Sequence, residues 1–289
     1  MTSLVNLFIV GAAKSGTTSL WKYLSHHPDV FTTADELHKE PAFFSLHGEH
    51  LGLQNYHALY KEGEHQRYRC DASTAYLTSP ESAQRIYDYN PQAKIIAVLR
   101  NPIDRAYSLY NWMVGDGYEW APTFRVALRL EAFRSHQRSR GFLMPEYFWN
   151  YMYVKSGFYV EQVDRYTRLF GNSFKAITFE RLVSDQFSAT QELCLFLGIS
   201  HNPMALPREN RSRRSFFPMA TFAMRKLIDM RSRGLQYDSK ESRDRLLSAT
   251  LSSDGPPPLD NSIRLQLQEC FAREMEQLSD RYGIQFFNG

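Results

Sequence analysis

The sequence predicts an α/β fold, a three-layer sandwich whose central parallel sheet is flanked by helices. Three apolar runs that are typical of buried strands support this prediction, at residues 7–10, 94–99 and 174–179, and a helical pattern follows each of them. Strands that alternate with helices favour a parallel sheet, because a parallel connection needs a crossover. At 289 residues the chain can bury a substantial core, and we expect a single domain over residues 1–289.

The first strand runs into a loop that is suited to hold an anion. Gly11 breaks the strand, Gly16 lets the backbone turn closely, and a helix begins near Thr17. The N–H groups at a helix start point toward an anion and carry partial positive charge. The side-chain donors of this segment are Lys14, Ser15, Thr17, Thr18 and Ser19. A phosphate site is therefore predicted, with an ordinary strand-to-helix turn as the alternative.

The loop differs from a Walker A motif, in which a lysine and then Ser or Thr follow the second glycine directly. Here Thr17 follows Gly16, and Lys14 lies two positions before it. The hydroxyl that binds Mg²⁺ after a Walker lysine has no counterpart. We therefore expect the anion to be held without a metal.

The helices and strands that follow have weaker sequence signals. Short strands are expected at residues 30–31 and 67–71, and a helix at 53–60. Ser79 as N-cap and Pro80 at the first helical position predict a helix that stops before residue 90. Later helices are expected at residues 185–197 and 262–282, and the last of these carries an apolar strip that should dock on the core.

A conspicuous arginine, Arg100, follows the strand at residues 94–99, and the next helix begins at Asn101-Pro102 and includes Ser108. Ligands of open α/β sheets bind beyond the carboxyl ends of the strands. We therefore expect Arg100 and Lys14 to face one crevice.

Two later segments are candidates for ligand contacts. Residues 111–153 are rich in aromatic side chains, most of which should form core, while Trp112 and Tyr118 are candidates for the wall of an acceptor pocket. The carboxylates among them, Asp116, Glu119 and Glu146, favour a cationic ligand such as an amine or a guanidinium metabolite. Residues 208–258 begin with an arginine cluster that includes Arg213 and Arg214 and continue into a linker. That cluster is either a solvated loop or a loop that closes over a phosphate.

Composition and charge limit the partners and the cellular compartment that fit this sequence. A net charge of +3 is too small to indicate nucleic acid, and three separated cysteines indicate neither a disulfide framework nor a zinc site. No apolar run approaches a membrane span, and the N-terminus lacks the pattern of a signal peptide. These features favour a soluble cytoplasmic protein without a nucleic-acid or membrane partner.

Three motifs, in order, resemble those of sulfotransferases that use 3′-phosphoadenosine 5′-phosphosulfate (PAPS), especially the branch with heparan sulfate sulfotransferases and bacterial enzymes. G-A-A-K-S-G-T-T-S-L at residues 11–20 is similar to the family's 5′-phosphosulfate loop. K-E-P-A-F-F at residues 39–44 is similar to its K-E-x-x-F-F segment. R-N-P-I-D-R-A-Y-S at residues 100–108 matches its R-[ND]-P-x-x-R-x-x-S element. The resemblance implies one P-loop-like sulfotransferase domain.

The resemblance also implies roles for residues. Glu40 would be the general base, and Lys14 would stabilise the departing nucleotide, 3′-phosphoadenosine 5′-phosphate (PAP). The loop residues from Lys14 to Ser19 would hold the 5′-phosphate, and Arg100 with Ser108 the 3′-phosphate, without a metal. Arg213 and Arg214 would belong to a loop that closes on the nucleotide. His38 and Asp71 are further candidates for base or acceptor contact.

The fourth family segment departs from the pattern, and alternatives stay open. Glycan sulfotransferases often carry E-K-T-P-A-Y-F, whereas this chain has D-A-S-T-A-Y-L at residues 71–77 and lacks the lysine. This departure argues against a glycan-style contact from that position, and the aromatic segment favours a small-molecule acceptor, such as a secondary metabolite in natural product biosynthesis. A kinase that uses ATP and Mg²⁺, a glycan sulfotransferase and a non-catalytic nucleotide binder are the alternatives.

Overall fold

The computed structural model describes residues 4–33, 39–45, 51–136, 147–207, 214–232, 247, 250–252 and 255–286. The chain divides into two compact units. Met1–Asn101, Phe158–Glu209 and Ala272–Gly289 make the first, and Pro102–Gly157 and Asn210–Phe271 make the second. The expectation of a single domain over residues 1–289 stays a prediction.

The first unit is built on a parallel sheet of five strands in the order β2-β3-β1-β4-β5. The strands are β1 Leu7–Gly11, β2 Val30–Thr32, β3 Tyr68–Asp71, β4 Lys94–Leu99 and β5 Phe174–Thr178. The predicted α/β fold with a central parallel sheet is confirmed. Because β1 lies at the centre of the sheet, the loop that follows it emerges between β3 and β4.

Helices cover both faces of this sheet. They are α1 Thr17–Ser25, α2 Leu53–Ala58, α3 Ala75–Thr78, α4 Ser82–Tyr89, α7 Tyr159–Phe170, α8 Phe179–Ser184 and α9 Gln186–Leu197. Successive side chains of a strand point to opposite faces. Thus Phe8 and Val10 pack in a cluster with α3, α4 and α7, while Leu7 and Ile9 pack in a second cluster with α1, α8 and α9. The sheet is buried on both sides, as continuous apolar strands predict.

The second unit contains helices and a short antiparallel pair. Its elements are α5 Pro102–Gly115, α6 Phe124–Arg134, β6 Arg214–Ser215, α10 Pro218–Ser232 and β7 Leu251–Ser252. The last helix is α11 Asn261–Tyr282. A fully buried carboxylate, Glu119, organises the aromatic segment: Arg134 donates to its two oxygens at 2.6 and 2.7 Å, and the Tyr153 hydroxyl donates at 2.8 Å. Much of this segment is therefore core, as expected, and the expectation that Glu119 faces a cationic ligand is wrong because its partner is the buried Arg134.

One predicted helix start is wrong. Ser79 is the C-cap of α3, since its N–H bonds to the carbonyl of Ala75, and α4 begins only at Ser82. The Ser82 hydroxyl instead donates to the carbonyl of Phe44 at 3.0 Å. The short helix α3 buries Tyr76 and Leu77 in the core, and this packing outweighs the local preference of Ser79 for an N-cap position.

Within the described ranges, no helix combines the length and apolar character needed to cross a membrane. The three cysteines form no disulfide; Cys70 and Cys194 are buried, and Cys270 is exposed.

Candidate active site

The predicted anion loop, residues 11–18, joins β1 to α1 and needs both of its glycines. Gly11 and Gly16 have φ of +149° and +82°, values that side chains disfavour. A Cβ on Gly16 would lie 2.9 Å from Cδ2 of Phe179, and one on Gly11 would lie 2.7 Å from Cβ of Leu77. Tight packing on both sides therefore fixes the path of the loop. Lys14 also adopts a left-handed conformation, with φ of +66°.

The interior of the anion loop has polar groups suited to an anion. No side-chain hydrogen bond caps the start of α1, where the N–H groups of a helix point toward an anion. The Ser15 side chain is fully buried, and its Oγ has no hydrogen-bond partner among the described residues. A buried hydroxyl without a partner is costly unless a ligand or water completes it. The loop residues thus fit a phosphate group.

Arg100 lies beside this loop, as expected from the sheet topology. Its Nη1 donates to the carbonyl of Lys14 at 3.0 Å, and its guanidinium lies 4.6 Å from the centre of the Phe179 ring. The Tyr159 hydroxyl donates to the carbonyl of Arg100 at 3.0 Å. Phe179 packs against Gly16 as well, so one aromatic ring supports both the anion loop and the arginine.

Glu40 has two defined sets of partners. Lys39 Nζ donates to its Oε1 at 2.8 Å, and Oε2 accepts the N–H of Thr74 at 3.2 Å and its hydroxyl at 2.8 Å. Partial loss of hydration opposes ionisation, but the charge of Lys39 and the hydrogen bonds from Lys39 and Thr74 outweigh it and lower the pKa of the Glu40 carboxyl. The side chain is 41% exposed. Glu40 is therefore an ionised, solvent-accessible carboxylate at neutral pH.

Thr74 connects Glu40 to the anion loop. Its N–H and hydroxyl bind Glu40, and its carbonyl oxygen would lie 3.1 Å from a Cβ on Gly11. The carboxylate and the anion loop thus contact one residue at the carboxyl end of the sheet. Sequence reasoning missed Thr74; the signal was a hydroxyl pair, Ser73-Thr74, directly after a buried strand at the edge where ligands bind.

A second carboxylate, Asp71, ends β3 and is fully buried. It accepts the hydroxyls of Ser73, Tyr76 and Tyr56 at 2.6, 2.7 and 2.9 Å. Burial raises the pKa of Asp71 to about 6 from its ordinary value of 3.8, although the three hydrogen bonds favour the charged form. The adjacent Ala72 is also fully buried.

The raised pKa of Asp71 has a consequence for stability. Between about pH 4 and 6 the folded chain keeps a proton that the unfolded chain has lost, so this contribution to stability falls as pH rises through that window. From about pH 4.5 to pH 7 the wild type should lose about 2 kcal/mol of unfolding free energy relative to Asp71→Asn. Urea denaturation of both proteins at each pH measures this difference, and a constant difference would contradict it.

The second unit places the acceptor candidates around one arginine of α10. Arg225 donates to the carbonyl of Asp116 at 3.0 Å and to the Tyr118 hydroxyl at 2.5 Å, and its guanidinium lies 4.2 Å from the centre of that ring. Trp112 packs against Tyr118 with ring centres 5.8 Å apart. Sequence reasoning missed Arg225, because it lies 107 residues beyond Tyr118 and no local pattern marks it.

The remaining predicted residues are placed as follows. Thr17 is buried, Thr18 and Ser19 are half-buried on α1, and Ser108 is half-buried on α5 in the second unit. Arg214 begins β6, whereas His38, Glu146 and Arg213 lie outside the described residues. In the described part of the chain, no group of three His, Cys, Asp or Glu side chains could hold a metal ion.

Comparison with known proteins adds to this geometry. Residues 5–279 match the family profile described as "Sulfotransferase domain". Human heparan sulfate glucosamine 3-O-sulfotransferase 6 is 31% identical over 192 residues, a match of 66% of this chain and 51% of that enzyme. Mouse bifunctional heparan sulfate N-deacetylase/N-sulfotransferase 1 is 34% identical over 108 residues, 36% of this chain and 12% of that protein.

A solved structure shows similarity over nearly the whole chain. The crystal structure of a sulfotransferase from Alicyclobacillus acidocaldarius is 30% identical, has a TM-score of 0.70, and covers 96% of this chain and 95% of its own. By contrast, this chain spans about half the length of the 3-O-sulfotransferases it matches.

Proposed function

Because this chain belongs to the sulfotransferase family, we propose that it transfers a sulfuryl group from PAPS to a hydroxyl or amine of an acceptor. One observation carries the proposal beyond family membership: Thr74 binds Glu40, and its carbonyl oxygen lies beside Gly11 of the anion loop, 3.1 Å from where a Cβ would stand. Transfer from an anionic donor to an acceptor hydroxyl or amine requires a base beside the donor site, because base and donor must meet at the acceptor atom. A carboxylate next to a phosphate-binding loop meets this requirement.

The donor side of the proposed reaction rests on the anion loop. When bound, PAPS supplies a sulfuryl group activated by its link to phosphate. The N–H groups of the first turn of α1, with Ser15 and Thr17, are proposed to hold the 5′-phosphate. Arg100, beside the loop, is proposed to bind the 3′-phosphate. The roles of Ser108, Arg213 and Arg214 stay predictions from the resemblance, as does the absence of a metal.

The acceptor side rests on Glu40. Its lowered pKa keeps it ionised at neutral pH, so it can take a proton from an acceptor hydroxyl or ammonium group. Lys14 is proposed to stabilise negative charge on the departing nucleotide, because it lies within the anion loop between Gly11 and Gly16. Positioning and electrostatics do most of the work in such a transfer, as in phosphoryl transfer.

The donor is tested by calorimetry with PAP, AMP, and ATP with Mg²⁺. We expect PAP to bind at least about tenfold more tightly than AMP without metal, and Arg100→Ala to remove this preference, since one charge-assisted hydrogen bond contributes about that much. Lys226→Ala, which removes a cation from α10 of the second unit, serves as the control. Tighter binding of ATP with Mg²⁺ would instead favour the kinase alternative.

The acceptor is proposed to be a small molecule, such as a secondary metabolite. The buried Ala72 in place of the glycan enzymes' lysine and the aromatic second unit support this class. The 31% sequence identity to a heparan sulfate sulfotransferase favours a glycan as the second candidate for the acceptor. A panel with 4-nitrophenol, hexylamine, an alkylguanidine and an N-sulfated heparosan oligosaccharide, each assayed for PAP release from PAPS, separates them. A cytoplasmic location stays a prediction.

If the Asp116 carboxylate selects cationic acceptors, the turnover of a cationic acceptor should depend on that carboxylate. The panel is therefore repeated with Asp116→Asn, and the ratio of alkylguanidine to 4-nitrophenol turnover is compared. Equal turnover of both in the wild type, unchanged in the variant, would remove Asp116 from the proposed acceptor site.

A further inference from the structure

The fully buried Asp71 lies behind the segment that carries Glu40, residues 39–45, which we call the Glu40 segment. The pKa values of Tyr56 and Tyr76 are raised well above their usual range, mainly by burial, so both hydroxyls stay protonated at neutral pH. An ionised carboxylate can only accept hydrogen bonds. Each hydroxyl that contacts Asp71 must therefore direct its hydrogen toward that residue.

Ser73 links the Asp71 carboxylate to the Glu40 segment by hydrogen bonds of fixed direction. Its Oγ donates to Asp71 Oδ1 at 2.6 Å and accepts the N–H of Ala42 at 3.0 Å. Because the hydroxyl hydrogen is committed to Asp71, a lone pair of Oγ faces the amide of Ala42. Tyr76 repeats the arrangement less closely: it donates to Asp71 Oδ2 at 2.7 Å and accepts the N–H of Phe44 at 3.5 Å.

Ala42 is the point at which the Glu40 segment needs such support. It is a non-glycine residue with φ of +52°, two positions after Glu40. A residue with a side chain occupies this region only when its surroundings compensate the cost. Its carbonyl accepts the hydroxyl of Ser45 at 2.7 Å and the N–H of Ser45 at 3.0 Å, so both polar backbone groups of Ala42 are held.

We propose that Asp71, acting through Ser73, is a positioning residue that holds the Glu40 segment in the conformation that presents Glu40 as base. The inference rests on the proposed function. Asp71 itself is fully buried behind the Glu40 segment, and its two oxygens are already occupied by three hydroxyls. This arrangement assigns it to support rather than to contact with the acceptor.

The chain offers a matched control in Tyr56. Its hydroxyl donates to the same carboxylate at 2.9 Å, but no hydrogen bond joins that hydroxyl to the described Glu40 segment. Its ring stacks on Phe43 with centres 4.6 Å apart, and Tyr56→Phe keeps that ring. Tyr56→Phe thus removes one donor to Asp71 and leaves the link through Ser73 in place.

The test compares Ser73→Ala, Ser73→Thr and Tyr56→Phe. Hydrogen-exchange mass spectrometry of peptides that span residues 41–45, with saturating PAP, should show about tenfold faster exchange at Ala42 in Ser73→Ala only. With the best acceptor of the panel, kcat should fall about tenfold in Ser73→Ala with KM for PAPS within about twofold. Ser73→Thr, which keeps the hydroxyl, should restore both.

Glu40→Gln separates failure of the inference from failure of the proposed function. Because Ser73 acts through Glu40, adding Ser73→Ala to Glu40→Gln should lower kcat no further. If Glu40→Gln is inactive but Ser73→Ala matches Tyr56→Phe in exchange and in kcat, the positioning role is overturned and the function stands. If Glu40→Gln keeps full activity, Glu40 is not the base, whatever the exchange shows.

Discussion

Glu40→Gln is expected to lower kcat by about 10² to 10⁴-fold, the usual contribution of a general base, while PAP binds within about threefold of wild type. Glutamine has the size of glutamate and can still accept from Thr74, which donates to Oε2 at 2.8 Å. It cannot take a proton, and it loses the charge that pairs with Lys39. The rate of PAP release with the best panel acceptor measures kcat, and calorimetry measures PAP affinity.

The control for this variant removes a different paired carboxylate. Glu161 on α7 accepts from Arg165 at 3.0 Å, and its side chain is 80% exposed. Exposed ion pairs of this kind contribute at most about 1 kcal/mol to stability, so Glu161→Gln should leave kcat and PAP affinity unchanged. A Glu40→Gln enzyme that keeps more than about a tenth of wild-type kcat would exclude the base role, because general-base catalysis contributes more.

The parts of the fold that could be predicted are those with strong local signals. β1, β4 and β5 are apolar runs with clear ends, so their positions and the α/β class followed from sequence. The position of Arg100 beside the anion loop was also foreseeable, since both follow neighbouring strands of a parallel sheet, but its hydrogen bond to the carbonyl of Lys14 was not. Such inferences require only that the two strands are neighbours and that ligands bind beyond the carboxyl ends of the strands.

The rest depends on packing between distant residues. Ser79 has the local features of an N-cap, yet it ends α3, because Tyr76 and Leu77 are buried and place that short helix. Asp71 was one of several candidate bases in the sequence, and only the structure shows it enclosed by hydroxyls from Tyr56, Ser73 and Tyr76. Residue type gives the chemistry of a carboxylate, whereas burial decides which role it can take.

Gly16→Ala is expected to weaken PAP binding by about a hundredfold. Alanine at φ of +82° is strained, and its Cβ would lie 2.9 Å from Cδ2 of Phe179, closer than such contacts allow. Phe179 also supports the guanidinium of Arg100, so relief of the clash should displace both the anion loop and Arg100. Two charge-assisted hydrogen bonds lost to the phosphates would account for the expected change, which calorimetry measures.

Gly283→Ala is the matched control, because it separates backbone strain from displacement of the anion loop. Gly283 also has a positive φ, +64°, but nothing lies within 4 Å of the Cβ it would gain. Both variants should lose about 1 kcal/mol of unfolding free energy from the left-handed alanine, and only Gly16→Ala should lose PAP affinity. Equal PAP affinity in the two variants would show that the anion loop tolerates a shift at Gly16, and close packing against Phe179 would then not be what shapes the phosphate site.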